Sequence, residues 1–450
     1  MELPTKFIPF ATGAPCAVMT RMVAEYLLDH EILQALFQEH AATQYDRAIT
    51  MDHLVAVMLD VNCGVQRSVR SSFLKKKEEI AASLTAFYAK LNRVEPKVGM
   101  ALVAKSADRL RGVIRNLVPP GEEPICGFRS FILDGNMLAG TDHRLKPLRK
   151  TRAAALPGKS LALFECSTGL VTQAVLWEDA YSQERALLPD FTIPADAHLI
   201  ADRNFCVRWF LEAIEAAGSF FTIRHHKQLL LSLKGKRYKI GRCETGMVYE
   251  QAFDRGEGQP GGWHVITIQL DEPTRDGETE IVLITNLPAK VKALKIAAAY
   301  RTRWTIENHF QRLTDYLNCE ISTLGEPRAA LFAFATSLLA GNMLAVLIAA
   351  LAAAQGRELT DNLSYHYLVD EVAGNYRGMM VALPPGQWEF VRECKPKELA
   401  NMLRDLARNA DPVLLRKTKR GPKKPRRTPN CTNVRHLSTK RLLDSSKNAC

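Results

Sequence analysis

Residues 329–355, AALFAFATSLLAGNMLAVLIAALAAAQ, run for 27 positions without a charged side chain. Such a stretch has two physical outlets: it crosses a bilayer, or it forms a helix or helix pair buried on every side of a large core. This one is rich in alanine, contains Gly341, Asn342 and Gln355, and stands alone in a chain with nothing else written for lipid. The buried reading is preferred, with membrane anchoring through 329–355 as its alternative. A buried helix of that length needs much protein around it, and 450 residues supply enough for two or three folding units.

Charge is distributed unevenly. Of the formal net +12, all but one unit belongs to residues 416–450, which hold twelve Lys or Arg against the single acid Asp444. The stretch RKTKRGPKKPRRTP is too charged and too rich in proline to pack, so it is expected to be a disordered arm drawn to phosphates, against the plainer reading of a solubilising end. The ten cysteines form no Cys-x-x-Cys pair and no zinc-ligand rhythm, which points to free thiols in a reducing compartment. His225, His226 and His309 have no cysteine or further histidine at ligand spacing, and a zinc site is rejected.

Apolar spacing divides the chain. Residues 1–120 show helical periodicity, as in DHLVAVMLDV and LTAFYAKLNRV, and end at the turn-forming Pro119, Pro120 and Gly121. Within this helical N-terminal domain Arg67, Arg70, Lys75, Lys76 and Lys77 gather charge that either faces a nucleic-acid backbone or is a solvated helix face, with Glu78 and Glu79 alongside. From Phe128 the pattern turns to strands: FRSFILD, SLALFECS and LVTQAVLW, then a helical YSQERALL, the strand AHLIAD, the helix VRWFLEAIEAAG and the strand SFFTIRH. This is the element order of a ribonuclease-H-like core, in which the first and fourth strands are neighbours. The expected architecture is mixed α+β and α/β. A catalytic domain at 121–325 carries a β-rich insertion at about 229–287, followed by a helical region at 326–415 and the basic tail.

FRSFILD ends in Asp134 and AHLIAD in Asp202, so two acids at the tips of neighbouring strands would meet. A long helix expected at about 290–318 offers a third. At 100° per residue Tyr300, Arg303, Trp304, Glu307, Gln311 and Thr314 share one stripe, beside an apolar one of Ile306, Phe310, Leu313 and Leu317. Alone, Arg303 and Glu307 would be a surface ion pair worth about 0.3 kcal/mol. With two aspartates, Glu307 makes a set of hard oxygen ligands suited to two divalent cations and phosphoryl transfer.

Asp134-Gly135 after a strand, Asp202-Arg203-Asn204-Phe205 after another, and Tyr300-x2-Arg303-x3-Glu307 on a helix resemble the DDE insertion-sequence transposases with the YREK signature. The 105-residue spacing from Asp202 to Glu307 fits the branch with a mostly β insertion. The resemblance covers roughly 128–325. It implies a cut-and-paste transposase in which Asp134, Asp202 and Glu307 are the catalytic metal ligands for two Mg²⁺ ions, with Mn²⁺ as a substitute. It further implies hairpin intermediates, a homodimer on terminal inverted repeats and target DNA, and a bacterial cytoplasmic, nucleoid-associated protein with no membrane partner. Tyr300 and Arg303 would contact phosphates beside the cleaved bond, and Arg203 is counted with them. One position departs: the family's lysine, seven residues beyond the glutamate, falls on Thr314, with Arg312 nearby.

Arg144, Lys146, Arg149, Lys150 and Arg152 are read as holding DNA backbone. Lys234, Lys236, Arg237, Lys239 and Arg242 are read either so or as a protected sheet edge. Trp263 either stacks on an unpaired base or is buried in the core. The rivals to the transposase reading are a DNA-binding relative that has lost catalysis, a membrane-anchored protein, and a ribonuclease-H-like nuclease without strand joining.

Overall fold

Alternating apolar residues sort the strands' side chains to the two faces of one nine-stranded sheet. The computed structural model describes residues 3–42, 48–117, 123–150, 154–230, 233–253, 262–418 and 421. The turn at Pro119–Gly121, Arg152 and the tail from 422 onward lie outside the described residues. The strands are β1 (Arg129–Met137), β2 (Lys159–Glu165), β3 (Val171–Trp177), β4 (Ala197–Ala201), β5 (Phe220–Arg224), β6 (Leu233–Cys243), β7 (Gly246–Phe253), β8 (His264–Leu270) and β9 (Glu280–Thr285). They stand in the order β3-β2-β1-β4-β5-β9-β8-β7-β6. β1 runs antiparallel to β2 and parallel to β4, and β4 is parallel to β5. The first five strands therefore form a ribonuclease-H-like core with β1 and β4 side by side. The β-rich insertion does not stand apart, because β9 pairs antiparallel with β5 and extends the same sheet.

Ile132, Ala162, Phe164 and Ile200 join one buried cluster with the helices, while Phe131, Leu133, Leu161, Leu163, Leu199 and Ala201 join a second with the helix Arg208–Ala216. Adjacent residues of a strand point to opposite faces. Asp134 and Asp202, each two residues beyond an isoleucine of the first cluster, thus continue toward the helical layer.

That layer is organised by the helix Pro327–Gln355, the uncharged run. It is long and apolar enough to cross a membrane, yet 72% of its most apolar window is buried inside the protein. Its few polar groups are matched. Asn342 accepts from the Val171 amide at 2.8 Å and donates to the Val171 carbonyl at 2.9 Å, and Thr336 donates to Asn62 Oδ1 at 2.8 Å. Small residues permit close approach: a Cβ on Gly99, in the helix Pro96–Leu117, would lie 3.1 Å from the Ala335 methyl. The apolar surface is spent on protein, as a core helix requires. The helical regions expected at 1–120 and 326–415 share this core, and Met1–Arg416 form one compact unit.

Two expected helices differ. YSQERALL is a 3-10 helix, Glu184–Asp190, with Pro189 inside it; proline has no amide hydrogen to donate and crowds the preceding turn. The long helix at 290–318 is two, Ala293–Arg301 and Trp304–Tyr316. Thr302 causes the break. Its hydroxyl donates to the Ala299 carbonyl at 2.7 Å, and the amides of Thr302 and Arg303 bond three residues back, to Ala299 and Tyr300, each at 3.0 Å.

Candidate active site

β1 and β4 pair in register up to Leu133 opposite Ala201, so Asp134 and Asp202 stand at the next rung, with backbones roughly 5 Å apart. Asp134 is held by the Gly135 amide, which donates to its Oδ1 at 2.9 Å. Asp202 caps the short 3-10 turn Arg203–Phe205 by accepting from the Asn204 amide at 2.9 Å.

The broken helix brings the third acid. At the break Arg303 is 8% exposed, and its Nη1 lies 3.1 Å from Asp134 Oδ2 and 2.7 Å from Glu307 Oε1. Two oxygens sharing one neighbour at those distances are at most about 6 Å apart, ~2 Å more than two oxygens ligating one Mg²⁺ across its diameter. Tyr300 closes the site and is buried beside Asp202, Arg303 and Arg224; burial pushes its hydroxyl up to about 12. The single stripe expected of an unbroken helix does not form: Trp304 is 60% exposed, whereas Tyr300 and Arg303 are buried.

Burial raises the Asp134 carboxyl to about 7, and Glu184 and Glu307 add to the rise against the opposing pull of Arg303 and the Gly135 amide. The site holds more negative charge than its one bridging guanidinium neutralises, and its donors are carboxylates, so its chemistry fits a hard divalent cation. Among the described residues, however, no three His, Cys, Asp or Glu side chains come close enough to hold one ion. Arg303 stands between Asp134 and Glu307 as the cation that both contact.

Sequence reasoning missed Glu184. It lies in the 3-10 segment after β3, accepts from Asn204 Nδ2 at 3.1 Å, and sits where a Cβ on Gly135 would be, 2.5 Å from that position to its Cδ. Only the glycine signalled such an approach. Arg224, at the end of β5, was missed as well.

Other expected contacts are distributed as follows. Arg144, Lys146, Arg149 and Lys150 are exposed on a loop that docks on the segment after the Glu307 helix, through the Asp142 amide donating to the Ser322 carbonyl at 2.8 Å. Arg203 is engaged by Glu278 at 2.9 Å, and Glu278 also pairs with Arg224. Lys234, Lys236, Arg237 and Lys239 are exposed on β6, the last strand of the sheet, where Arg237 pairs with Glu280 at 3.1 Å. Arg67, Arg70, Lys75 and Lys77 are exposed, and Lys76 pairs with Asp60 at 3.3 Å.

The stacking expectation for Trp263 is corrected. Its ring is 1% exposed and packs edge-on against Phe221 at 5.3 Å and tilted on Phe253 at 5.5 Å, so it cannot meet a base without opening the core. Thr314 is exposed and turns its hydroxyl onto the Phe310 carbonyl. Arg312 is committed to Tyr365, donating to the hydroxyl at 2.7 Å.

No curated protein matches the chain in sequence. Among solved structures, a cryo-EM structure of a piggyBac transposase synaptic complex with hairpin DNA is similar at 10% identity and a TM-score of 0.39, over 84% of this chain and 83% of that one. A family model described as a transposase DDE domain matches residues 130–343, slightly under half of the chain. The stretch that bears Asp134, Asp202 and Glu307 is thus similar to transposase DDE domains.

Proposed function

We propose that the chain is a cut-and-paste DNA transposase in which Asp134, Asp202 and Glu307 are the catalytic acids. The observation that carries this reading is the joining of Glu307 to Asp134 through one guanidinium nitrogen of Arg303, with Asp202 one residue past the last β1–β4 pair. Glu307 lies more than a hundred positions beyond both aspartates, and all three fall in the stretch similar to a transposase DDE domain. The three acids would hold Mg²⁺, or Mn²⁺ in its place, as two ions that activate the attacking water or hydroxyl and stabilise the leaving oxygen.

Arg303 would bind a phosphate of the reacting strand, exchanging contact with carboxylates for contact with a phosphate. Tyr300, with a hydroxyl that stays protonated, would donate a hydrogen bond to the same phosphate. The exposed Arg144, Lys146 and Arg149 would track the flanking backbone. The order of events is a nick at the element's end, attack of the freed 3′-hydroxyl on the opposite strand to form a hairpin, opening, and joining to target DNA. A homodimer on two terminal inverted repeats, in the bacterial cytoplasm, is the assembly this requires.

The test is excision in Mg²⁺ from a plasmid carrying the DNA that flanks this coding sequence. Asp202→Ala is expected to abolish excision, and unchanged excision would remove the site.

A further inference from the structure

The Glu184 carboxylate lies behind the acids rather than among them. Gly135 follows Asp134 in β1, so the position its Cβ would take, the place Glu184 fills, is on the opposite face of the strand from the Asp134 side chain. A Cβ there would stand 2.5 Å from Glu184 Cδ and 2.6 Å from Oε1, closer than packed atoms come, so the acid fits only because residue 135 is glycine. Its other oxygen accepts from Asn204 Nδ2 at 3.1 Å. Asn204 in turn holds Asp202, its backbone amide donating to Oδ1 at 2.9 Å.

We infer that Glu184 is a positioning residue for the proposed reaction: resting on the β1 backbone at Gly135, it fixes Asn204 and through it aims the Asp202 carboxylate at Asp134. This rests on the transposase reading above. The strand pairing of β1 and β4 ends at Leu133 and Ala201, one residue short of both aspartates. Beyond that point the ladder no longer sets their separation, and the hydrogen bonds through Asn204 do so instead. The role needs an acceptor oxygen at residue 184 and a donor at 204, not the negative charge itself.

The test is Mn²⁺-supported nicking of a supercoiled plasmid carrying the DNA that flanks this coding sequence, with rate and half-saturating plasmid concentration measured separately. Glu184→Ala is expected to lower the maximal rate roughly 10–100-fold, the range seen when a partner orienting a metal ligand is lost, with half-saturation and melting temperature little changed. Glu184→Gln, whose amide oxygen still accepts from Asn204, is expected to stay within about threefold of wild type. Asn204→Ala removes the same bond from an exposed residue and keeps the question answerable if Glu184→Ala fails to fold. It should match Glu184→Ala, and the double variant should lose no more than either single one, because both remove one interaction.

The inference is overturned if Glu184→Ala or Asn204→Ala nicks like wild type, if the two losses multiply, or if Glu184→Gln is as slow as the alanine variant, which would make the charge the active element. An Asp202→Asn control separates this from failure of the transposase reading. If Asp202→Asn nicks as fast as wild type, the whole site falls; if it is inactive, the residue 184 and 204 variants judge the inference alone.

Discussion

Asparagine at position 134 keeps the shape of the carboxyl but cannot ionise, so Asp134→Asn imitates the protonated aspartic acid at every pH. In the folded protein that carboxyl is raised from 3.8 to about 7 by burial and by Glu184 and Glu307, against Arg303. Between those two values the folded wild type keeps a proton that the unfolded chain has released. The stability tied to that proton is fully present below the unfolded pKa and is lost as pH rises through the folded one. At 1.36 kcal/mol per unit, the unfolding free energy of wild type should fall relative to Asp134→Asn by about 2–3 kcal/mol between pH ~5 and pH ~8. Urea unfolding of both proteins in EDTA, followed by tryptophan fluorescence across that range, measures the gap. Mg²⁺ added at the alkaline end should narrow it, since a divalent cation favours the charged carboxylate. A gap that is flat with pH, or that widens in the other direction, would refute the account of Asp134 as a carboxylate short of positive partners.

Arg303→Lys keeps a charge beside Asp134 and Glu307 but loses the planar fork whose remaining N–H groups would grip a phosphate; nicking should slow roughly 10–100-fold in a rate assay, with secondary structure unchanged by circular dichroism. Trp263→Ala should cost about 3–5 kcal/mol in urea unfolding, as for other large core deletions, and leave the DNA affinity of the folded fraction intact. Loss of affinity without loss of stability would restore the stacking role. Deleting 417–450 removes eleven Lys or Arg. It should flatten the logarithmic salt dependence of DNA binding, by up to about ten units of slope if every charge meets a phosphate; an unchanged slope in fluorescence anisotropy would make the tail a solubilising end.

Much of the core was legible because strands and amphipathic helices write their burial at fixed periods. Asp134 and Asp202 could be paired before any coordinates because each closes an apolar run, and the order of elements makes those two runs neighbours. The kink at Thr302 and Arg303 was not legible, since a helical wheel assumes uninterrupted geometry, whereas a hydroxyl competing for the Ala299 carbonyl is a local event. That kink decides which residues face the acids: Arg303 goes in and Trp304 out. Glu184 was hidden for a different reason. Its contacts are with Asn204 and the Gly135 backbone, 20 and 49 positions away, and no spacing rule joins a 3-10 turn to the back of a strand. The domain boundaries were drawn where composition changes, but the long uncharged helix draws the segments on both sides into one core.

That helix also limits how the chain can be taken apart. The match to a transposase DDE domain stops at residue 343, halfway along Pro327–Gln355, and the helix Trp304–Tyr316 leans on that same stretch, where a Cβ on Gly341 would come 2.9 Å from Leu313. A fragment trimmed to the domain limits would end inside this rod. It would also lose the partners that Pro96–Leu117 and Met51–Asn62 present to it, leaving apolar faces of the rod uncovered. The candidate site and the helix behind it are therefore a single piece, to be expressed whole.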